Sequence, residues 1–177
     1  MSIQTLDKLL ICHIDCSIWS GRKKLRPEDF RLANGSQLPP KDVASLGSKK
    51  ICDPEALANF ERLKKEAQRL CEQVGVRFLG GYAVPEDRID QIVPELDRIG
   101  QEFAQCKQLF LDNYDQVTFD WVAKHPEFAD AIRRALSPIE DVEQRLQFDY
   151  AIYRMQPAEQ GGGLDDKVNG MGHTLFR

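Results

Sequence analysis

The sequence predicts an α+β fold in which a small antiparallel sheet carries a long antiparallel helical hairpin with the character of a coiled-coil arm. Three observations lead there. Between Pro85 and Lys124 apolar residues return every seven positions, at Ile89, Leu96, Phe103, Phe110 and Val117, and Ile92, Ile99 and Cys106 fill the intervening turns. A second amphipathic run opens at Asp53-Pro54, shows Leu57, Phe60, Leu63, Ala67, Leu70 and Val74 on one face, and stops at Gly75. From Leu9 to Trp19 the chain alternates instead: the even positions Leu10, Cys12, Ile14, Cys16 and Ile18 are apolar, while the odd face turns to His13, Asp15 and Ser17. A helix of about 30 residues beyond Pro94 would be roughly 45 Å long, more than a small core can cover, so it needs the 54–74 helix as its partner. This reading puts one α+β domain at 1–156, with its helical arm at about 54–124. Residues 157–177 then form a flexible glycine-rich tail or a truncated continuation.

The remaining elements follow in order. Ser20-Gly21 and Arg22-Lys23-Lys24 end the first strand, and Pro27, Asn34-Gly35 and Pro39-Pro40 mark an irregular segment, with a short helical turn expected at Lys41–Leu46. Val76 to Val84 has strand composition, with Gly80-Gly81 read as a bulge or a close backbone approach. Pro94 lacks the N–H that would bond to Asp90, which predicts a kink or a break there. His125-Pro126 ends the rod. A short helix is expected from Glu127 to Leu136. Ser137-Pro138-Ile139-Glu140 has the form of a capping box, with Ile139, Val142 and Leu146 inward. Phe148 to Met155 reads as a strand that pairs with the first. There is no internal repeat.

Composition bounds the class. With 177 residues, 42% apolar and 29% charged, the chain suits one ordinary globular domain. It has no long uncharged apolar run and no basic leader ahead of a cleavage site, so no membrane association is expected and the cytoplasm is the expected location. Five cysteines, an odd number with no C-x-x-C pair, point to free buried thiols in a reducing compartment. The net charge of −4 hides an imbalance: residues 1–50 hold nine Lys/Arg against five Asp/Glu, and the remainder is acidic. Such polarity bears on partners, not on fold.

Few residue groups suggest chemistry. His13 and Asp15 form an H-x-D pair that His125 or His173 would have to complete as a metal site, but the polar end of a strand explains them more simply. Cys12 and Cys16 would lie about 13 Å apart on a strand with His13 facing away, which excludes a shared zinc. Ser20 and Lys23 match S-x-x-K without its companion motifs. No metal or cofactor is expected, and no acid, base and nucleophile set converges, so the expectation is a protein that is not an enzyme. Two binding features remain. Arg22, Lys23, Lys24, Arg26, Lys49 and Lys50 form a basic cluster suited to phosphate or nucleic acid, with Trp19 near enough to offer a stacking face; a solvated turn is the plainer reading, since the chain is acidic and has no glycine-rich phosphate loop. The acidic residues of the rod lie mostly off its apolar stripe, so Asp112 and Asp115, with Trp19, are the candidate contacts for a docking partner.

The stretches SIWSGRKKL (17–25), LPPKDVASLGSKKICDP (38–54) and VGVRFLGGYAVPED (74–87) resemble the domain of unknown function 3150 family over roughly residues 8–155. That resemblance implies a setting in bacterial conjugative and integrative elements. It also implies genes nearby for a MoxR-like AAA+ ATPase and a von Willebrand factor A domain protein, and hence an accessory or adaptor role. It carries over no catalytic residues, and it implies a further helical region beyond Arg177. The expected function is therefore a non-enzymatic protein-interaction module with an ATPase or von Willebrand factor A partner, or one within a mobile element's defence or counter-defence assembly. The alternative is a nucleic-acid-associated factor that uses the basic cluster. The sequence leaves the oligomeric state open.

Overall fold

The alternating N-terminal segment forms strand β1 (Leu9–Ser17), whose inward Cys12 is fully buried while His13, Asp15 and Ser17 face solvent. The computed structural model describes residues 8–26, 29 and 47–154. The expected helical turn at 41–46 and the tail at 157–177 lie outside them. After β1 come the short strands β2 (Arg22–Lys24) and β3 (Ser48–Lys50), then helix α1 (Ala58–Val74). Asp53 caps the single 3-10 turn that leads into α1 by accepting the Glu55 N–H at 3.1 Å. Strands β4 (Val76–Phe78) and β5 (Gly81–Pro85) follow, and then helices α2 (Ile89–Asp112), α3 (Tyr114–Lys124), α4 (Ala129–Arg133) and α5 (Ile139–Gln144), and strand β6 (Gln147–Arg154).

Four of the strands build one antiparallel sheet in the order β4-β5-β1-β6, and β2 and β3 pair separately as a ribbon. The α+β class and the helical hairpin are as the periodicities require. Helices α1 and α2 run antiparallel over one face of the sheet, and their stripes meet at Phe60 and Phe103, whose rings pack edge to face at 5.0 Å. Phe103 also reaches Phe148 of β6 at 5.7 Å, while Cys71 of α1 donates to the Cys12 sulfur of β1 at 3.7 Å. The hairpin is thus the second layer of the fold and shares one core with the sheet. Its outer side holds an ion-pair lattice: Arg62 binds Glu66 and Glu102, and Arg98 binds Glu66, Glu95 and Glu102. Exposed pairs of this kind stabilise little one by one, but the alternating 62–102 and 66–98 links fix the register of the two helices.

Four expectations are corrected. Helix α2 runs unbroken through Pro94. Pro94 lies near the helix start on the solvent side, so the Asp90 carbonyl that loses its partner is accessible to water. The rod divides instead at Asn113, whose side-chain amide donates back to the Leu109 carbonyl at 2.8 Å and so closes α2. The segment Val76–Val84 is two strands joined by a tight turn, not one bulged strand. Gly81 does make the close approach: a Cβ there would sit 2.7 Å from the Cys12 carbonyl oxygen. At the start of α5 no side chain caps the helix, because Ser137 is buried and its carbonyl accepts the Tyr114 hydroxyl at 2.9 Å. Val142 and Leu146 point inward as expected, whereas Ile139 is exposed.

Candidate functional site

The cationic positions read from the sequence meet in the β2–β3 ribbon. Its register sets Arg22 opposite Lys50, Lys23 opposite Lys49 and Lys24 opposite Ser48. Strand alternation puts Lys23 and Lys49 on one face and Arg22 and Lys50 on the other, so the six cations are a two-sided ribbon and not a single patch. Main-chain bonds extend the pairing at both ends, from Leu25 N–H to the Gly47 carbonyl at 3.1 Å and from Ile51 N–H to the Gly21 carbonyl at 2.8 Å. Ile51 and Cys52 then enter the core and hold the ribbon down.

Between the ribbon and the end of α4 lies a cleft of about 520 Å³ lined by Lys23, Lys24, Arg26, Lys49 and Arg134, with Asp29 among them. The Asp29 side chain is only 4% exposed; it binds the Lys49 ammonium at 2.5 Å and accepts the Arg26 N–H at 2.9 Å. Across Lys49 a second groove of about 360 Å³ is apolar, with Leu25, Trp121, His125, Phe128, Ala131 and Ile132 in its walls. Trp121 is fixed there: its indole N–H donates to the Lys50 carbonyl at 3.2 Å, and its ring meets His125 edge to face at 4.4 Å. Nearby, Lys124 of α3 pairs with Asp53 at 3.1 Å, which ties the far end of the ribbon to the same helix.

Trp19, expected as a stacking or docking face, is not at this surface. It is 2% exposed, packed against Phe110 and Tyr114, so no base or partner can reach it. Asp112 and Asp115 are exposed on either side of the break at Asn113, remote in sequence from the ribbon; Asp112 accepts the Gln108 amide at 2.8 Å. Trp121, Phe128 and Arg134 were not singled out in the sequence. The signal for Trp121 was its place four residues beyond Val117, on the same side of the helix, where an aromatic just past the end of the heptad stripe comes to the surface. His13, Asp15 and Ser17 stay on the open face of β1, and among the described residues no three His, Cys, Asp or Glu side chains are grouped to hold a metal ion. No helix among them is long and apolar enough to cross a membrane.

A second exposed feature is the β4–β5 turn. Leu79 and Gly80 form its two central residues, with φ of 45° and 79°. Positive φ at both positions is the requirement of a tight type I′ hairpin, which ordinarily has Asn-Gly there. Leu79 is 73% exposed, and Val76 and Phe78 beside it are 68% and 40% exposed.

Electrostatics around the ribbon give a pH dependence. Burial raises the Asp29 carboxyl, but the Lys49 and Arg26 bonds and the charge of Arg134 outweigh it, so the group lies below its ordinary value of 3.8. Asp53 is likewise lowered, first by the Glu55 N–H and then by Lys124. A depressed native pKa stabilises the fold fully above the unfolded value of about 4, and this is lost as pH falls through the native values. Melting temperatures measured from pH 7 downward should therefore hold to about pH 4 and then drop. Asp29→Asn should lower the plateau and flatten that acid limb.

The fold defines the class as a two-layer α+β protein, with a helical hairpin over one face of a four-stranded antiparallel sheet and a separate basic ribbon at its side. The chain belongs to the family described as protein of unknown function (DUF3150), whose model matches residues 6–177. No curated protein and no solved structure matches it.

Proposed function

We propose that the chain is a non-enzymatic protein-interaction module of a bacterial mobile genetic element, working in the cytoplasm as an accessory to a MoxR-like AAA+ ATPase or to a von Willebrand factor A domain protein. The partner class comes from the gene neighbourhood implied by the family resemblance. The observation that carries the reading is Leu79. A non-glycine residue at positive φ costs about 1–2 kcal/mol, and at 73% exposure this side chain returns almost none of that through packing. With Val76 and Phe78 it makes an apolar knob on an edge strand, a feature with a use when a partner's pocket receives it.

The test is affinity purification of the tagged protein from its native host, with nuclease treatment and mass spectrometry, alongside Leu79→Asn. Asparagine tolerates the turn, so the variant should be more stable by about 1 kcal/mol while losing the ATPase or von Willebrand factor A protein that the wild type retains. Recovery of neither protein with the wild type, or recovery undiminished by Leu79→Asn, would overturn the proposal. A second reading, a nucleic-acid-associated factor, is favoured by a different observation, the opposition of cation to cation in the ribbon.

A further inference from the structure

We infer that the ribbon cleft and the apolar groove beside it are two halves of one site for single-stranded nucleic acid, with phosphates held by Lys23, Lys24 and Arg134 and a base seated against Trp121 and Phe128. The inference rests on the second reading above and deepens it.

The register supplies the first argument. Arg22 faces Lys50 and Lys23 faces Lys49, and like charges directly opposed across strands destabilise the pairing. Among the described residues Asp29 neutralises Lys49, and Arg22, Lys23, Lys24 and Lys50 make no ion pair. An anionic backbone lying in the cleft meets Lys23, Lys24 and Arg134, and release of its counterions adds to the affinity. Asp29 meanwhile leaves Lys49 fixed between the two depressions, since Asp29 and Lys49 line both.

The second argument is the aromatic groove. Trp121 is held in one orientation before any ligand arrives, and Phe128 is 54% exposed at the groove wall. A volume of about 360 Å³ falls within the range of small-molecule sites. A cationic track beside a fixed aromatic face is the arrangement that binds unpaired bases without reading sequence. Duplex is disfavoured on geometric grounds. A two-stranded ribbon reads a major groove by entering it, and this ribbon has one side packed on α3 through Trp121. A base inside a helix cannot stack in a recessed groove.

The experiment is fluorescence anisotropy of the full chain with a labelled oligothymidylate and with a duplex of equal length, each at low and high salt. We expect the single strand to bind at least tenfold more tightly than the duplex, and its affinity to fall steeply with salt. Phe128→Ala should weaken the single strand by roughly five- to a hundredfold and leave duplex binding unchanged. Lys23→Glu with Lys24→Glu should abolish binding of both; because the change at Lys23 replaces the like-charge opposition to Lys49, the variant should melt at or above the wild-type temperature, which separates lost binding from lost folding. Equal binding of strand and duplex, unaffected by Phe128→Ala, would overturn this inference and leave the second reading standing. No binding to either at low salt would overturn both.

Discussion

Phe103→Asp is expected to leave the protein unfolded. Phe103 is 2% exposed and lies between Phe60 of α1 and Phe148 of β6, the contact at which both helices and the sheet meet. Truncating such a ring to alanine costs about 3–5 kcal/mol through lost transfer energy and the cavity left behind. Aspartate adds a carboxylate between the Phe60 and Phe148 rings, a further cost of several kcal/mol unless the group takes up a proton. Together these approach the whole stability of a typical domain, about 5–15 kcal/mol. Far-ultraviolet circular dichroism and denaturant titration should show loss of the cooperative transition, while Phe103→Leu, which keeps an apolar side chain, should retain it. Wild-type unfolding of Phe103→Asp would refute the two-layer packing.

Trp19→Ala is expected to lower stability by about 3–5 kcal/mol with an unchanged denaturant slope. The indole meets Tyr114 edge to face at 5.9 Å and Phe110 at 6.2 Å, joining the end of β1 to the junction of α2 and α3. A docking residue would behave in the opposite way, with stability kept and only binding lost. Because Gly21, two residues on, accepts the bond from Ile51 that closes the ribbon, the same substitution should also loosen the basic site.

The periodic elements were legible because their cause is local. Alternation from Leu10 to Ile18 and the sevenfold spacing from Ile89 to Val117 each follow from a face that must be buried, so sheet and hairpin could be read directly. Trp19 could not. It stands beside Ser20, Gly21 and three basic residues, and its burial depends on Phe110 and Tyr114, which no local pattern links to it. Pro94 misled because the rule for proline concerns a lost hydrogen bond, and at an exposed first-turn carbonyl that loss is small. The β4–β5 hairpin was hidden by Leu79, which stands where asparagine would have announced the turn. The six cations of the ribbon were identified, but not their pairing: Ser48–Lys50 has no apolar alternation, and a long segment separates it from Arg22–Lys24. Trp121, Phe128 and Arg134 were missed because each acquires its role only when α3 and α4 fold back against that ribbon.

The sheet order has a consequence for how the chain reaches its native state. Strand β1 is made first of the described strands, yet from Leu10 to Ser17 it pairs with β6, the last of them, and with β5 over only its first half. The segment α1-β4-β5-α2 is contiguous and can close on itself by short-range contacts while synthesis continues. His13 to Ser17, by contrast, have no sheet partner until β6 emerges from the ribosome. Assembly is therefore ordered in time, with a fast helical half and a slow sheet that waits for a long loop to close. A chain stalled before Gln147 would present the latter half of β1 as an unpaired edge, open to strand pairing with another nascent chain.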